Sequence, residues 1–244
     1  MRYQVIVTAG GEDTVDINFN LNSSHKHDVL INGMYLLERA VSSYASHADK
    51  KIIVLREQSR DSLAVIRLSQ LDKSIILKFA NGATQGALCS ALLAIDAIDP
   101  DMPLFIVPGD SYLTGNVKQL FADFINSEKD AGTILFNATG KRWSYARLDD
   151  KDAILEMAEK VEISNAASTG VFFFRSGDVF VKAAQWVLLN NLRTTSDFYV
   201  STAINYLVMS GSKVNGMFLD ENCAYVPMST SDDIKLLEES HEEN

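Results

Sequence analysis

The sequence predicts an α/β protein, a single domain built on a mixed, mostly parallel sheet flanked by helices. Three observations predict it. Through the first half, short β-branched runs alternate with helix-length amphipathic segments, the order that builds a doubly wound sheet. One run, Leu104–Val107, is apolar without alternation, as befits a strand covered on both faces. The second half carries more strands than helices, which adds mixed pairings to the same sheet.

Gln4–Thr8 reads as the first strand. Met34–Ser46 reads as a helix, because Leu36, Leu37, Ala40, Val41 and Tyr44 recur at helical spacing. Lys51–Leu55 is the second strand, Asp61–Leu71 a helix and Ile75–Phe79 the third strand. Thr84–Ala97 reads as the strongest helix, followed by the strand Leu104–Val107. Val117–Asn126 is a helix whose Leu120, Phe121 and Phe124 share a face. Strands follow at Thr133–Phe136, Tyr145–Leu148, Ile154–Ala158 and Thr169–Phe174. Helices are expected at Asp178–Leu189 and Asp197–Met209, then a strand at Val214–Leu219 and a last helix from Ser231. No internal repeat is visible.

The chain has 244 residues, 47% of them hydrophobic, long enough to bury a sizeable core. With 4 Pro and 13 Gly it has little material for long linkers. Its 22 Lys and Arg against 32 Asp and Glu give a net charge of −10, which argues against a nucleic-acid binder, since that needs a basic stripe. Nucleotides are not excluded, because their phosphates arrive with a divalent cation. Met1-Arg2-Tyr3 leads straight into a strand, unlike a signal peptide, and no apolar run reaches the ~20 residues of a membrane span. A cytoplasmic protein without membrane contact is expected, with Cys89 and Cys223 as reduced, buried thiols. The residues 238–244 form an acidic tail expected to fray.

In an open α/β sheet, ligands bind at the carboxyl ends of the strands, so those ends hold the candidate residues. The first strand ends in Ala9-Gly10-Gly11, which is either a simple turn or a close backbone approach to phosphate. After the third strand, Ala83-Thr84-Gln85-Gly86-Ala87 opens a helix; Thr84 could cap it, and the small residues allow close approach. The fourth strand ends in Gly109-Asp110, where a carboxylate is either a magnesium ligand or a turn cap. Glu159 and Lys160, adjacent on a strand, point to opposite faces and cannot form one ion pair. His25 and His27 lack the further ligands of a metal site and read as a polar loop.

The run Gly82-Ala83-Thr84-Gln85-Gly86-Ala87, the strand Pro103–Val107 with Gly109-Asp110, Lys141-Arg142-Trp143-Ser144-Tyr145, and Glu159-Lys160 with Ser164-Asn165 through Gly170 stand in an informative order. Their order and spacing resemble the sugar-nucleotide pyrophosphorylases, the sugar-1-phosphate nucleotidyltransferases, over nearly the whole chain. The closest likeness is to short members found in capsule and lipopolysaccharide gene sets.

The resemblance implies a GT-A-like, Rossmann-type fold, with residues 1–130 as a nucleotide-binding half and 131–237 as a sugar-phosphate half. It implies that a sugar-1-phosphate oxygen attacks the α-phosphorus of a nucleoside triphosphate and releases pyrophosphate, with Mg2+ as cofactor, and it admits a homo-oligomer. Carried over by position, Ala9, Gly10 and Gly11 lie along the triphosphate, and Gln85 and Gly86 face the base. Lys26 matches the catalytic lysine, and Asp110 is catalytic as the magnesium ligand. Tyr145, Glu159, Lys160, Asn165 and Gly170 line the sugar-phosphate pocket. The chain departs from the family loop G-x-G-x-R, since Gly10-Gly11-Glu12-Asp13-Thr14 has no arginine, and His25-Lys26 replaces a Pro-Lys pair. Pro227-Met228-Ser229-Thr230 stands where a second metal aspartate is common. The same architecture would also suit a glycosyltransferase or an inactive sugar-nucleotide-binding protein.

Overall fold

Val5 and Val7 of the first strand pack on one face of a nine-stranded sheet and Ile6 on the other, so the strand contributes to two cores at once. The computed structural model describes residues 2–11 and 25–242. Glu12, Asp13 and Thr14 of the divergent loop lie outside the described residues.

In chain order the first half comprises β1 (Gln4–Thr8), a 3-10 turn at Lys26–Asp28, β2 (Leu30–Ile31), β3 (Met34–Tyr35), α1 (Leu36–Ala45), β4 (Lys50–Arg56), α2 (Leu63–Leu71) and β5 (Ile75–Ala80). It continues through α3 (Ala87–Leu92), β6 (Leu104–Pro108), β7 (Ser111–Leu113) and α4 (Val117–Asn126). The second half has β8 (Ala131–Asn137), β9 (Ser144–Leu148), β10 (Ile154–Glu159), β11 (Ala166–Phe174), α5 (Gly177–Leu189) and α6 (Val200–Met209). It closes with β12 (Val214–Phe218), β13 (Tyr225–Pro227) and α7 (Ser231–Glu242).

The strands run β10-β9-β11-β6-β1-β4-β5, with β8 beside β11 and β12 beside β8. β6, β1, β4 and β5 are mutually parallel neighbours, as the helix-length spacers between them require. β11 joins the two halves by pairing antiparallel to both β6 and β8. Phe105, Phe121, Phe124 and Phe173 fill one core under α4. Ile106, Phe172, Phe174 and Phe180 fill the other under α5.

Several elements depart from the sequence reading. Helix α3 spans only Ala87–Leu92, not Thr84–Ala97, and its N-cap is Gly86 rather than Thr84. The backbone of Phe198 explains the late start: its N–H donates to the Gln85 carbonyl and its carbonyl accepts from Leu88 N. A separate 3-10 turn occupies Ile95–Ala97. Helix α6 begins at Val200 rather than Asp197, because residues 193–198 form a strap across that same helix start. Met34–Tyr35 pairs as a strand before α1 begins. The acidic C-terminal stretch is helical as far as Glu242. Both cysteines are free, but half-buried rather than buried.

Candidate active site

The parallel strands β1, β4 and β6 end at one edge, and a cleft of about 550 Å³ opens there. That volume lies within the usual range for a small-molecule site. Ala9, Gly10 and Gly11 from the end of β1 line it, with Lys26, Gly86 and Asp110. Six of the positions singled out in the sequence, from four separate segments of the chain, therefore meet in one concavity.

Gly109 makes that meeting geometrically possible. Its N–H donates to the Thr8 carbonyl at 2.9 Å, and a Cβ on it would lie 2.7 Å from the Ala9 Cβ. The ends of β1 and β6 can approach only because the side chain is missing, and Asp110 then emerges at the cleft. The Asp110 carbonyl accepts from Met228 N at 2.8 Å, which anchors the segment after β13 against it.

Lys26 sits in the 3-10 turn, 9% exposed, with Nζ 3.3 Å from Asp110 Oδ2 and 3.5 Å from the Ser229 carbonyl. The segment that lacks the second metal acid thus supplies a backbone carbonyl close to the lysine. Asp220 is committed elsewhere, since its Oδ1 accepts from Asn222 N in the turn after β12. Among the described residues no group of three or more His, Cys, Asp and Glu could hold a metal ion. Asp110, a carboxylate at the cleft, fits an ion of the magnesium type that keeps waters and is shared with substrate phosphates.

Arg142 braces this corner. It forms a two-pronged pair with Asp233 at 3.0 and 2.7 Å, donates to Ser229 Oγ at 3.0 Å and stacks 4.2 Å from the Trp143 ring centre. Burial of Asp233 would raise its pKa, but the bonds from Arg142 and Thr230 outweigh it and hold the carboxyl below its ordinary value. Phe136, Trp143 and Tyr225 form an aromatic cluster beside it.

The second-half candidates are arranged differently. Glu159 accepts from Ser144 Oγ and, at 3.0 Å, from Ser201 Oγ. Lys160 lies just past the end of β10 at a positive φ of 57°, so strand alternation does not govern it, and its Nζ donates to Tyr199 Oη at 3.2 Å. Asn165 is exposed, with its amide donating to Asn137 Oδ1. Gly170, at φ 80°, occupies the register shift of β11 where the strand passes Pro108, and a Cβ there would meet the proline ring at 3.3 Å.

Two further candidates lie outside the cleft wall. Tyr145 is fully buried, and its hydroxyl donates to the Gly140 carbonyl at 2.5 Å, so it braces the turn before β9. Gln85 does not line the cleft: its Oε1 accepts from Arg193 at 2.9 Å, and its carbonyl is taken by Phe198. Conversely, Arg56, Ser196 and Asp197 line the cleft without having been singled out, and so does His27, which the sequence reads as a polar loop. Arg56 could have been found, because it ends a parallel strand at the ligand edge. His27 belongs to the Lys26–Asp28 turn rather than to a loop. Ser196 and Asp197 gave no signal, since their place depends on a strap that reads as the start of a helix.

The family model described as "Nucleotidyl transferase" matches residues 22–222. The fold is similar to that of a nucleoside-diphosphate-sugar pyrophosphorylase from Vibrio cholerae, with TM-score 0.78, 17% identity and coverage of 97% of this chain and 99% of that one. It is also similar to a Bacillus anthracis protein described as a glucose-1-phosphate thymidylyltransferase, with TM-score 0.79, 14% identity and coverage of 100% and 96%. An inositol-1-phosphate CTP transferase from T. maritima gives TM-score 0.75, 17% identity and coverage of 100% and 97%. Among curated proteins no significant match is found.

Proposed function

This chain belongs to the nucleotidyl transferase family, and from that premise we propose that its cleft transfers a nucleotidyl group from a nucleoside triphosphate to a sugar-1-phosphate, releasing pyrophosphate. The observation that carries the reading is the convergence of Gly10-Gly11, Lys26 and Asp110 at the carboxyl edge of the parallel strands. A phosphate oxygen of the acceptor forms a bond to the α-phosphorus, and the bond from that phosphorus to the oxygen bridging toward the β-phosphate breaks. The electron pair leaves with pyrophosphate. Little covalent work falls to the protein, so in-line positioning and charge neutralisation must supply the rate.

The chain's own groups suit those tasks. Gly10 and Gly11 let backbone approach the phosphates. Lys26, nearly buried and held in place by Asp110 and the Ser229 carbonyl, presents a fixed cation where charge develops. Asp110, half-exposed, would hold magnesium together with substrate phosphates. When bound, magnesium would neutralise phosphate oxygens. Gly86, with the Ser196–Asp197 strap against it, forms the wall assigned to the base. Glu159, Lys160, Asn165 and Gly170 are assigned to the acceptor in the second half, 131–237, outside the cleft wall itself, to which that half contributes Ser196 and Asp197 and the first half, 1–130, the rest. A triphosphate donor places the reaction in the cytoplasm, and the product class suits synthesis of surface polysaccharide. Among the described residues no helix is long and apolar enough to cross a membrane.

The test is pyrophosphate release from a panel of triphosphates paired with sugar-1-phosphates and inositol-1-phosphate, in magnesium. Release that requires both partners supports the reading. Turnover of a ready-made nucleotide sugar onto an acceptor, without pyrophosphate, would favour glycosyl transfer instead.

A further inference from the structure

We propose that Arg142 and Asp233 are positioning residues for the transfer: their ion pair fixes the Ser229 carbonyl, and that carbonyl fixes the Lys26 ammonium. This rests on the nucleotidyl-transfer reading of the cleft. Lys26 Nζ is held on two sides, 3.3 Å from Asp110 Oδ2 and 3.5 Å from the Ser229 carbonyl oxygen. The two anchors differ. Asp110 is half-exposed at the cleft and is the residue assigned to magnesium, so substrate and metal compete for it. The Ser229 carbonyl is neutral backbone, and it stays with the lysine when the carboxylate turns away.

Residues 228–230 lie between β13 and α7, outside any strand ladder, so side chains must hold that carbonyl in place. The Ser229 carbonyl and the Thr230 N–H belong to one planar peptide unit and point in opposite directions. Asp233 Oδ2 accepts from Thr230 N at 2.9 Å, so it grips one end of the plane while Lys26 takes the other. The same oxygen accepts from Ser229 N at 3.1 Å and from Ser229 Oγ at 3.2 Å. Asp233 is nearly buried, and Arg142 holds both of its oxygens, Nη1 to Oδ1 at 3.0 Å and Nη2 to Oδ2 at 2.7 Å. A forked pair of this kind fixes orientation as well as distance, which an ammonium cannot do. Arg142 stands just before β9, in the second half of the chain, so the pair ties that half to the lysine of the first.

Arg142→Gln in the full chain removes the charge and the fork, and leaves Thr230 and Asp233 to cap α7. In steady state kcat should fall roughly tenfold to a hundredfold, by more than KM for the triphosphate rises, because a misplaced reacting group costs rate. Without any substrate, acylation of Lys26 by acetic anhydride, followed by mass spectrometry, should run several-fold faster than in wild type, with the exposed Lys118 unchanged. Arg142→Lys, which keeps the charge but not the fork, should fall between the two. Asp72→Asn loses a bridge to Lys51 outside the cleft and controls for lost stability; it should match wild type in kcat and in Lys26 reactivity. A wild-type kcat in Arg142→Gln, or wild-type reactivity of its Lys26, would reduce the pair to a brace of α7 and overturn the proposal. Changes no larger than those in Asp72→Asn would do the same. If Arg142→Gln does not fold, wild-type values in Arg142→Lys overturn it. Faster acylation of Lys26 in Arg142→Gln, in a protein that transfers no nucleotidyl group, would sink the function and leave the positioning of the lysine standing.

Discussion

Lys26 Nζ and Asp110 Oδ2 lie 3.3 Å apart although 84 residues separate them in sequence. The pair is asymmetric: the lysine side chain is 11% exposed and the carboxylate 48%. The lysine is the fixed member, and the carboxylate faces the cleft, where it can turn to a metal. Removing Asp110 leaves a nearly buried ammonium without its counter-charge, whereas removing Lys26 leaves a carboxylate that water still solvates. Asp110→Ala should therefore cost more stability than Lys26→Ala, by about 1–2 kcal/mol, without unfolding the chain. It should also abolish magnesium-dependent nucleotide binding. Lys26→Ala should lower kcat/KM by two or more orders of magnitude, since a cation at a developing phosphoryl charge is worth several kcal/mol and each ~1.4 kcal/mol is tenfold. Thermal melts with and without magnesium, alongside steady-state rates, check both.

Gly86→Ala should damage the cleft wall. Gly86 has φ of 97°, and an added Cβ would lie 2.4 Å from the Phe198 carbonyl oxygen and 2.9 Å from its nitrogen. Backbone on that side cannot yield without releasing the strap and its bonds to Gln85 and Leu88. A loss of about 2–4 kcal/mol is expected from the left-handed backbone and the overpacking together. Chemical denaturation measures it, and KM for the triphosphate should rise in any folded variant. An unchanged denaturation midpoint would mean that the strap is not held there.

Tyr145→Phe separates a brace from a ligand contact. The phenol is fully buried and bonded to Gly140, so its loss should cost ~1 kcal/mol of stability. KM for the sugar phosphate should stay within a few-fold of wild type. A large rise in that KM with no change in melting temperature would restore Tyr145 to the pocket.

Most of the fold was legible because strand and helix periodicity is local. Leu104–Val107 announced a doubly covered strand, and Val117–Asn126 matched a helix residue for residue. The failures share a cause. Thr84–Ala97 and Asp197–Met209 have helical composition at both starts, but the backbone of Phe198 crosses one start and thereby delays both helices. That contact joins residues more than a hundred positions apart, and no local pattern contains it. The site divides in the same way. Gly10, Gly11 and Asp110 follow from the rule that ligands bind at strand ends, and Arg56 obeys the same rule unremarked. Lys26 was reached only through family resemblance, because a lysine in a short turn carries no periodic signal. Gln85 and Tyr145 were assigned by position, and their side-chain partners, Arg193 and Gly140, redirect them.

Stability should also depend on Asp72. Hydrogen bonds from the Lys51 ammonium and from Ser74 hold its carboxyl down, from 3.8 to about 2, in a bridge of 2.6 Å that ties β4 to the end of α2. A depressed carboxylate contributes stability above its unfolded pKa and loses it as pH falls through the folded value. Its contribution should be complete above about pH 5 and vanish only toward about pH 1, below both values. The difference in melting temperature between wild type and Asp72→Asn, followed across that window, should shrink to nothing at its acid end. A constant difference would contradict the assignment.

The most direct measurement follows phosphorus atoms through the reaction. The protein, magnesium and a sugar-1-phosphate are incubated with a triphosphate labelled either at the α-phosphorus or at the γ-phosphorus. Nucleotidyl transfer at the Lys26–Asp110 cleft predicts that the α label moves into a nucleotide sugar and the γ label into pyrophosphate, in equal amounts, and that Lys26→Ala suppresses both. An α label that stays in triphosphate across the whole panel, or that appears only as free nucleotide with or without the sugar phosphate, would contradict it.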